Sequence, residues 1–143
     1  MAIAAAAINR ARRRICVLIE DEIRSVLARY DQAWNDHDLD AIDAAHALGV
    51  VFHNHTADER VEGAAAVKAH IASIFANWPD LRFRSRRLYV GDGFAVSEWT
   101  ATATAKDGRR LEWDGVDVFP FQDGAILRKD VYSTSASPRV LNP

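Results

Sequence analysis

Apolar residues recur every three or four positions in the first half of the chain and every two positions in the second half. The first spacing is typical of amphipathic helices and the second of half-buried strands. The helical spacing predicts three helices, over residues 16–35, 38–49 and 63–79. Between the last two lies a short β-rich run, residues 50–55, which is interpreted as a strand followed by a loop over residues 56–62.

The alternating second half predicts a four-stranded antiparallel meander between Leu81 and Thr134. Its strands are separated by turns at Gly91-Asp92-Gly93, Asp107-Gly108 and Asp123-Gly124, and such turns between alternating runs are strong hairpin signals. The apolar phase slips by one residue near positions 85–87, which indicates a β-bulge. Helices followed by a meander form an α+β pattern, so we expect a curved antiparallel sheet with three helices over its concave face.

Composition and charge exclude several classes of protein. A single cysteine leaves no disulfide framework or cysteine-based zinc site. The 18 Lys and Arg are balanced by 20 Asp and Glu, so no general charge favours nucleic acid or an anionic membrane as partner. No segment approaches the ~18 consecutive apolar residues of a membrane span. We therefore predict one globular domain, residues 16–134, with a loose tail at residues 135–143.

The start of the chain, residues 1–15, is rich in Ala and Arg and is interpreted as a flexible extension. Its apolar residues precede its positive charges, the reverse of the order in a secretory signal. We therefore expect a cytoplasmic protein, with a transit peptide as the alternative.

Asp117 is the first candidate for chemistry, because it interrupts an apolar strand on the side of Trp113 and Phe119. Burial among aromatic side chains raises a carboxyl pKa, which suits a general acid or a neutral hydrogen-bond donor. The alternatives are a structural ion pair with an arginine or a position facing solvent. Tyr30 and His70 lie on the apolar stripes of the first and third helices, where each is either a core residue or a pocket group.

Two further candidates come from the strands. Asn54 shares its parity with Phe52, so we expect it to point inward, as a satisfied core amide or as a group that orients a substrate. Asp130 on the last strand either forms an ion pair with Arg128 or Lys129 or shares a cavity with Asp117. In a shared cavity, repulsion between the two carboxylates would separate their pKa values and give one acid and one base.

A rival interpretation is a metal site. His53 and His55 lie on one strand face, and Glu59 follows at a spacing that cupin metal sites use. No histidine follows His70 to complete such a site, and the chain opens with helices rather than strands. We therefore expect no metal ligands. The sequence also lacks a Gly-rich phosphate loop, a serine elbow and a cysteine nucleophile, so no cofactor is expected.

Several short runs, in this order and spacing, resemble the ketosteroid isomerase and SnoaL-like polyketide cyclase families. They are Arg29-Tyr30, Trp34-Asn35, Asp38–Ile42, Phe52-His53-Asn54, Gly63–Val67, Trp78–Leu81, Trp99–Thr102 and Gly115–Gly124. Both families belong to the nuclear-transport-factor-2-like superfamily. The resemblance covers residues 20–134 and implies a cone of curved sheet closed by three helices.

The resemblance also implies roles for particular residues. In the isomerase pattern, Tyr30 and Asp117 occupy the two oxyanion-hole positions, and Asn54 stands where the isomerases have their general-base aspartate. An amide cannot take up a proton, so His70, at a position that is a pocket aromatic in the isomerases, is the substitute base. In the SnoaL-like pattern the paired acid and base fall on Asp117 and, more loosely, Asp130.

The combined expectation is a cofactor-independent acid–base enzyme, of isomerase, cyclase, hydratase or epoxide-hydrolase type. Its substrate would be a small, mostly apolar carbonyl or epoxide compound. The aromatic residues expected to bind it are Trp34, Phe52, Trp99, Trp113 and Phe119. The alternative is a non-catalytic ligand-binding or assembly module of the same fold. The long, weakly charged meander also predicts a homodimer through the sheet.

Overall fold

A computed structural model describes the backbone of residues 2–143 and the side chains of residues 3–12 and 19–143. In this part of the chain the helices are α1 (Ala2–Asp36), α2 (Leu39–Ala44) and α3 (Ala64–Asn77). The strands are β1 (His46–Asn54), β2 (Glu59–Glu62), β3 (Arg82–Gly91), β4 (Phe94–Thr104), β5 (Arg110–Gln122), β6 (Ala125–Ser133) and β7 (Arg139–Val140). No helix within residues 2–143 is both long and apolar enough to span a membrane.

The strands form one curved, unclosed sheet in the order β2-β1-β6-β5-β4-β3, with β7 paired to β5. The predicted meander of β3, β4, β5 and β6 is confirmed, because each consecutive pair is antiparallel. The sheet as a whole is mixed, however, since β1 runs parallel to β6. This pairing joins the strand between the helices to the meander, so one continuous sheet faces all three helices.

The three helices pack against one face of this sheet, and the core lies between the two layers. Residues from α1, α3 and the inward positions of the strands form a single apolar cluster. Its largest fully buried side chains are Tyr30, Phe119, Leu27, Ile42, Ile71, Ile126, Val50 and Val67. The inward face of the sheet is therefore the one on which a site can form.

The helical half differs from the sequence prediction at three places. The first helix begins at Ala2 rather than Cys16, because the alanine-rich start continues the helix. The second helix has the predicted cap, Asp38, whose carboxylate accepts from the Ala41 N–H, but it ends at Ala44. Gly49 does not end it and instead lies within β1. The predicted loop over residues 56–62 contains the short strand β2.

Two irregularities interrupt the meander. The predicted bulge is confirmed as a register shift between Ser85 and Arg87. A second, unpredicted shift separates the pair Phe121–Ile126 from the pair Val118–Asp130 on β5 and β6. Pro120 lies inside this second shift, and proline, which has no N–H to donate, is tolerated in sheets mainly at such irregularities.

The second shift decides which residues of β6 face the helices. Without it, the two-residue turn between β5 and β6 would place Asp130 opposite Asp117, on the same face of the sheet. With it, Asp117 is paired with Val131 and Val118 with Asp130. A slip of one residue moves every following side chain to the other face. Lys129 is therefore on the inward face, and Asp130 is on the outer one.

One glycine has a direct part in shaping the interior. Gly115 on β5 is paired with Trp99 on β4, and a Cβ atom at position 115 would overlap the Trp99 indole ring. The indole also packs edge-on against the Phe83 ring, with centroids 5.1 Å apart. The missing side chain at position 115 thus lets Trp99 lie directly on the sheet.

We predict that Gly115→Ala lowers the free energy of unfolding by about 1–3 kcal/mol, as overpacking of a core does. It should also shift the tryptophan fluorescence, because Trp99 must move. Gly49→Ala is the matched control, since no heavy atom lies within 4 Å of its added Cβ and its backbone is ordinary strand. Urea unfolding of both variants tests this, and equal stability of the two would contradict it.

Candidate functional site

Two cavities open between the helices and the sheet. The wider has a volume of about 390 Å³, which is within the range of small-molecule sites. Its walls come from α1, α3 and the inward positions of six strands. The lining side chains that bear on its chemistry are Trp34, Phe52, Asn54, Glu59, His70, Trp78, Trp99, Trp113, Asp117 and Lys129. The space between the helices and the sheet is therefore large enough for a small ligand.

The narrower cavity, of about 180 Å³, lies between α1 and strands β3 to β6. Its polar lining includes Asp31, Gln32 and Asn35 from the helix and Ser85 and Ser97 from the sheet. The two cavities share a common wall. That wall consists of Trp34, Phe83, Trp99, Asp117 and Lys129.

A buried ion pair lies in this common wall. The Lys129 ammonium on β6 donates a hydrogen bond to Oδ2 of Asp117 on β5. The two residues are only 8% and 5% exposed, so the pair is almost fully removed from solvent. Desolvation of each charge is costly, and removing one partner would leave the other uncompensated at about 3–5 kcal/mol.

Aromatic rings complete the environment of the lysine. The Lys129 Nζ lies 4.9 Å from the centroid of the Phe119 ring and 5.1 Å from that of Trp34. Both distances are within the range of cation–π attraction. The lysine thus has a carboxylate on one side and electron-rich ring faces around it, which together replace the lost water.

A second carboxyl group, Asp31 on α1, lies on the wall of the narrower cavity. Its pKa is raised to about 6, chiefly by burial, and the negative charge of Asp117 raises it further. The positive charge of Lys129 acts in the opposite direction. All three groups line the narrower cavity, and the raised pKa makes Asp31 a carboxylate of unusual basicity at neutral pH.

Several buried polar atoms of the cavity walls have no hydrogen-bond partner among the described residues. They are Oδ1 of Asp117, Nε1 of Trp34, Nε1 of Trp99 and Nε2 of His70. Native proteins satisfy most buried polar atoms, so unsatisfied ones gathered at one place are a feature of functional sites. The site therefore offers an acceptor and two indole donors.

His70 and Asn54 line the wider cavity, as the sequence predicts. The His70 Nε2 lies 3.9 Å from a carboxylate oxygen of Glu59, and its ring is tilted against Phe52. The Asn54 side-chain oxygen accepts from the backbone N–H groups of Thr56 and Ala57. Asn54 thus holds the turn after β1 while its side chain borders the cavity.

Tyr30 does not line either cavity. It is 1% exposed, and its hydroxyl shares a 2.9 Å hydrogen bond with Nε2 of His46. Burial raises the pKa of the Tyr30 hydroxyl, and burial with the nearby Lys129 charge lowers the pKa of His46 to about 4. The pair is therefore neutral at pH 7 and joins α1 to β1. His46 is the first residue of β1, although it lies within the range 38–49 that the sequence predicts to be helical.

Asp130 does not share a cavity with Asp117, and of the two alternatives for this residue the structure has the ion pair with Arg128. The register shift at Pro120 turns its side chain to the outer face, where it accepts two hydrogen bonds from Arg128 and lies 2.9 Å from Nε2 of His55. The Arg128 hydrogen bonds hold the pKa of the Asp130 carboxyl below its usual range. Asp117 and Asp130 therefore do not form a pair.

Of the aromatic residues expected to bind substrate, Trp34, Phe52, Trp99 and Trp113 line the wider cavity. Phe119 lies behind the wall, where it is 1% exposed and packs against Tyr30 and the Lys129 ammonium. The spacing of two histidines and Glu59 does not produce a shared site either. Glu59 borders the wider cavity, whereas His53 and His55 lie with Asp130 on the outer face.

Sequence reasoning missed Asp31 and Lys129. The signal for Asp31 was present, since it lies four residues after Leu27 and three before Trp34, on the apolar stripe of the first helix. Lys129 had no comparable signal. Its inward position depends on the register shift at Pro120, which the alternating pattern of β6 does not reveal.

The chain is similar to proteins of one known family. The family model of the SnoaL-like domain matches residues 27–129. No curated protein matches the chain.

Solved structures with this fold are numerous, and three are representative. A candidate SnoaL-like polyketide cyclase from Jannaschia sp. CCS1 has a TM-score of 0.75 at 18% identity, over 83% of this chain and 90% of that one. An M. tuberculosis LEH-like epoxide hydrolase has a TM-score of 0.71 at 18% identity, over 82% of this chain and 86% of that one. A candidate ketosteroid isomerase from Kribbella flavida has a TM-score of 0.66 at 21% identity, over 87% of this chain and 83% of that one. At these identities the likeness establishes the fold.

Asp31 generates a stability prediction. Its carboxyl pKa is raised on folding from 3.8 to about 6, so the ionised form destabilises the native state at every pH above about 6. We expect Asp31→Asn to raise the melting temperature at pH 7.5, and the gain to shrink as pH falls from 6 to 4, where wild-type Asp31 becomes protonated. Thermal unfolding across this pH range tests it. A gain that is independent of pH, or a loss, would contradict the assignment.

Proposed function

The chain belongs to the SnoaL-like domain family, and on that basis we propose that it is a cofactor-independent acid–base enzyme. Its substrate would be a small, mostly apolar molecule bearing a carbonyl or an epoxide, held in the cavities between the helices and the sheet. The observation that carries this proposal is the group of Asp31, Asp117 and Lys129 on the wall of the narrower cavity. A basic carboxylate beside an ammonium group is suited to proton transfer.

For a carbonyl substrate, the charges of Asp31 and Lys129 determine the role of each residue. The Asp31 carboxylate removes a proton from the carbon next to the carbonyl. The electron pair of that C–H bond forms the carbon–carbon double bond of an enolate, and the π electron pair of the carbonyl moves onto its oxygen. The Lys129 ammonium donates a hydrogen bond to the enolate oxygen as its charge develops. Asp31 then returns the proton to the product. Asp117 accepts a hydrogen bond from the Lys129 ammonium and so holds the lysine in place.

For an epoxide substrate, the same groups would act on water. Asp31 accepts a proton from the water as its oxygen attacks a ring carbon, and the carbon–oxygen bond of the ring breaks. Lys129 donates the proton that neutralises the leaving oxygen. The proton that Asp31 took from the water then returns to Lys129 through solvent. One fold neighbour is named as an epoxide hydrolase and others as cyclases or an isomerase, so both chemistries belong to the proposal.

The second candidate function is a non-catalytic binding module. It is favoured by Asn54, which stands where the isomerase pattern has its general base and whose oxygen is engaged by backbone N–H groups. A binding module does not explain why Asp31 has a raised carboxyl pKa in the wall of the narrower cavity. A carboxyl group whose burial destabilises the protein is retained more readily when it serves a reaction.

We predict that Asp31→Asn lowers kcat/KM by roughly 10²-fold or more, as loss of a positioned base does. Because no substrate is known, three probes are used. They are 5-nitrobenzisoxazole, which opens to a coloured phenolate when a base removes its C–H proton, 2-tetralone in D₂O, and styrene oxide. Asp36→Asn is the matched control, since this exposed acid lies on the same helix and bonds only to Gln32 among the described residues.

The pH dependence gives a second readout on the same probes. The rate should rise with pH to a plateau, with a midpoint at about 6 that reports the Asp31 carboxyl. The double variant Asp117→Asn/Lys129→Met removes the ion pair without leaving a lone charge, and we expect it to fold and to lose activity. Ligand binding with no turnover of any probe, or equal rates for Asp31→Asn and Asp36→Asn, would favour the binding module.

We also propose a homodimer that pairs the outer faces of two sheets. Tyr89, Phe94 and Tyr132 are 44–50% exposed on this face, beside the half-buried Val96 and Val118. Such an apolar strip on a sheet with helices on its other side is a surface for a second copy. We expect Val118→Arg to convert a dimer to a monomer with little change in cavity-probe turnover. Sedimentation measures this, and a wild-type monomer at micromolar concentration would contradict it.

A further inference from the structure

We propose that His53, His55 and Asp130 form a binding site for a divalent transition-metal ion of the Zn²⁺ type on the outer face of the sheet. The three side chains come from the end of β1 and from its neighbour β6. His53 is in β1 and His55 directly follows the strand, and Asp130 is paired with His53 across the parallel ladder to β6. Each offers one ligand atom, and the three atoms lie within 4.8 Å of one another.

The donor set and its spacing suit such an ion. Zn²⁺ takes imidazole nitrogen and carboxylate oxygen at about 2.0–2.2 Å, so tetrahedral ligand atoms are about 3.3 Å apart. The Nε2 of His55 and Oδ1 of Asp130 are 2.9 Å apart, close to that separation. Two imidazoles and one carboxylate leave a fourth position for water. The His53 ring, which now stacks on the His55 ring, must turn so that its nitrogen moves from within 4.8 Å of the other two ligand atoms to that separation.

The surrounding residues already hold these side chains in place. The rings of His53 and His55 are stacked with centroids 3.6 Å apart, and Tyr132 stacks on the His55 ring at 4.2 Å. The Nε of Arg128 donates to Oδ2 of Asp130, which leaves Oδ1 as the oxygen nearest to the imidazole. Metal-ligating carboxylates are commonly oriented by a hydrogen bond of this kind. The side chains of His55 and Asp130 are 28% and 14% exposed, so an ion can reach them.

Arg128 also limits the affinity. Its second nitrogen donates to Oδ1 of Asp130, the oxygen that would bind the ion, and its positive charge repels a cation. Arg60, which faces His53 from β2, adds a further positive charge, although it is paired with Glu62. The ion and the Arg128 guanidinium therefore compete for one carboxylate oxygen.

The site is separate from the cavities and does not depend on the proposed enzyme activity. It adjoins the proposed dimer surface, because Tyr132 stacks on the His55 ring and Val118 is paired with Asp130, so a dimer would limit the access of an ion to it. Side chains alternate along a strand, so Asn54 and Lys129 face inward while the three ligands face outward. An ion bound there would link β1 to β6, the parallel pair that joins the two parts of the sheet. Because it binds the folded chain, it should raise the melting temperature.

The test uses the full chain after treatment with a chelator. Titration with Zn²⁺ by calorimetry should give one equivalent, and Co²⁺ should give the visible absorption of a low-coordinate site. His53→Gln, His55→Gln and Asp130→Asn should each weaken binding by about tenfold or more, as the loss of one ligand does. His70→Gln is the control, because His70 lies beside Glu59 on the cavity side and should bind no ion in this site.

Arg128→Gln tests the role of the carboxylate. If Asp130 is a ligand, removal of the competing guanidinium should tighten Zn²⁺ binding severalfold. An unchanged dissociation constant in this variant would overturn the assignment of Asp130. The whole proposal would be overturned if the wild-type chain bound neither ion at ~1 mM, or if the His53 and His55 variants bound as tightly as His70→Gln. Circular dichroism of each variant confirms that the comparison is between folded proteins.

Discussion

The ion pair between Lys129 and Asp117 is the constraint around which the interior is arranged. Two charges that are 8% and 5% exposed can persist only if each satisfies the other, because neither can regain its hydration. The pair therefore requires that β5 and β6 keep one register. It also requires aromatic faces near the ammonium group, and the rings of Trp34 and Phe119 supply them. An apolar core would be simpler to build, so the pair favours a functional interior over a purely structural one.

The same pair determines the state of the groups beside it. Both of its charges act on Asp31, where burial prevails, so the carboxyl pKa rises to about 6. Burial, together with the positive charge of Lys129, lowers the pKa of His46 to about 4. One group thus becomes a usable base at neutral pH, and the other becomes a neutral hydrogen-bond partner for Tyr30. Without the lysine, the carboxyl of Asp31 would be still harder to ionise.

Much of the fold could be predicted from the sequence, because its signals are local. The meander follows from three turns and a period of two, and the bulge near Ser85 follows from a visible change of phase. The position of Asp31 on the apolar stripe of the first helix could also be predicted from local spacing. A search for apolar residues misses it because Asp31 is charged. Asn54, His70 and Asp117 could be placed on the cavity by periodicity and parity alone.

What could not be predicted depends on how strands pair. The register shift at Pro120 leaves no trace in the alternation of β6, yet it exchanges the positions of Lys129 and Asp130. The turn at Asp123-Gly124 predicts a straight ladder, and a straight ladder leads to two facing carboxylates. The parallel pairing of β1 with β6 is equally nonlocal, since the partners His53 and Asp130 are 77 positions apart in the sequence. The roles assigned to the last strand therefore required the structure.

That single slip of register gives the two faces of the sheet different chemistry. On the inner face it replaces a pair of repelling carboxylates with a carboxylate and an ammonium, and so makes a buried polar site possible. On the outer face it brings Asp130 beside His55 and Arg128, where one carboxylate has both an imidazole and a guanidinium as neighbours. Restoring a straight ladder would bury Asp130 and expose Lys129, and both sites would be lost together. The position of one proline in β5 thus links the interior of the cone to its outer surface.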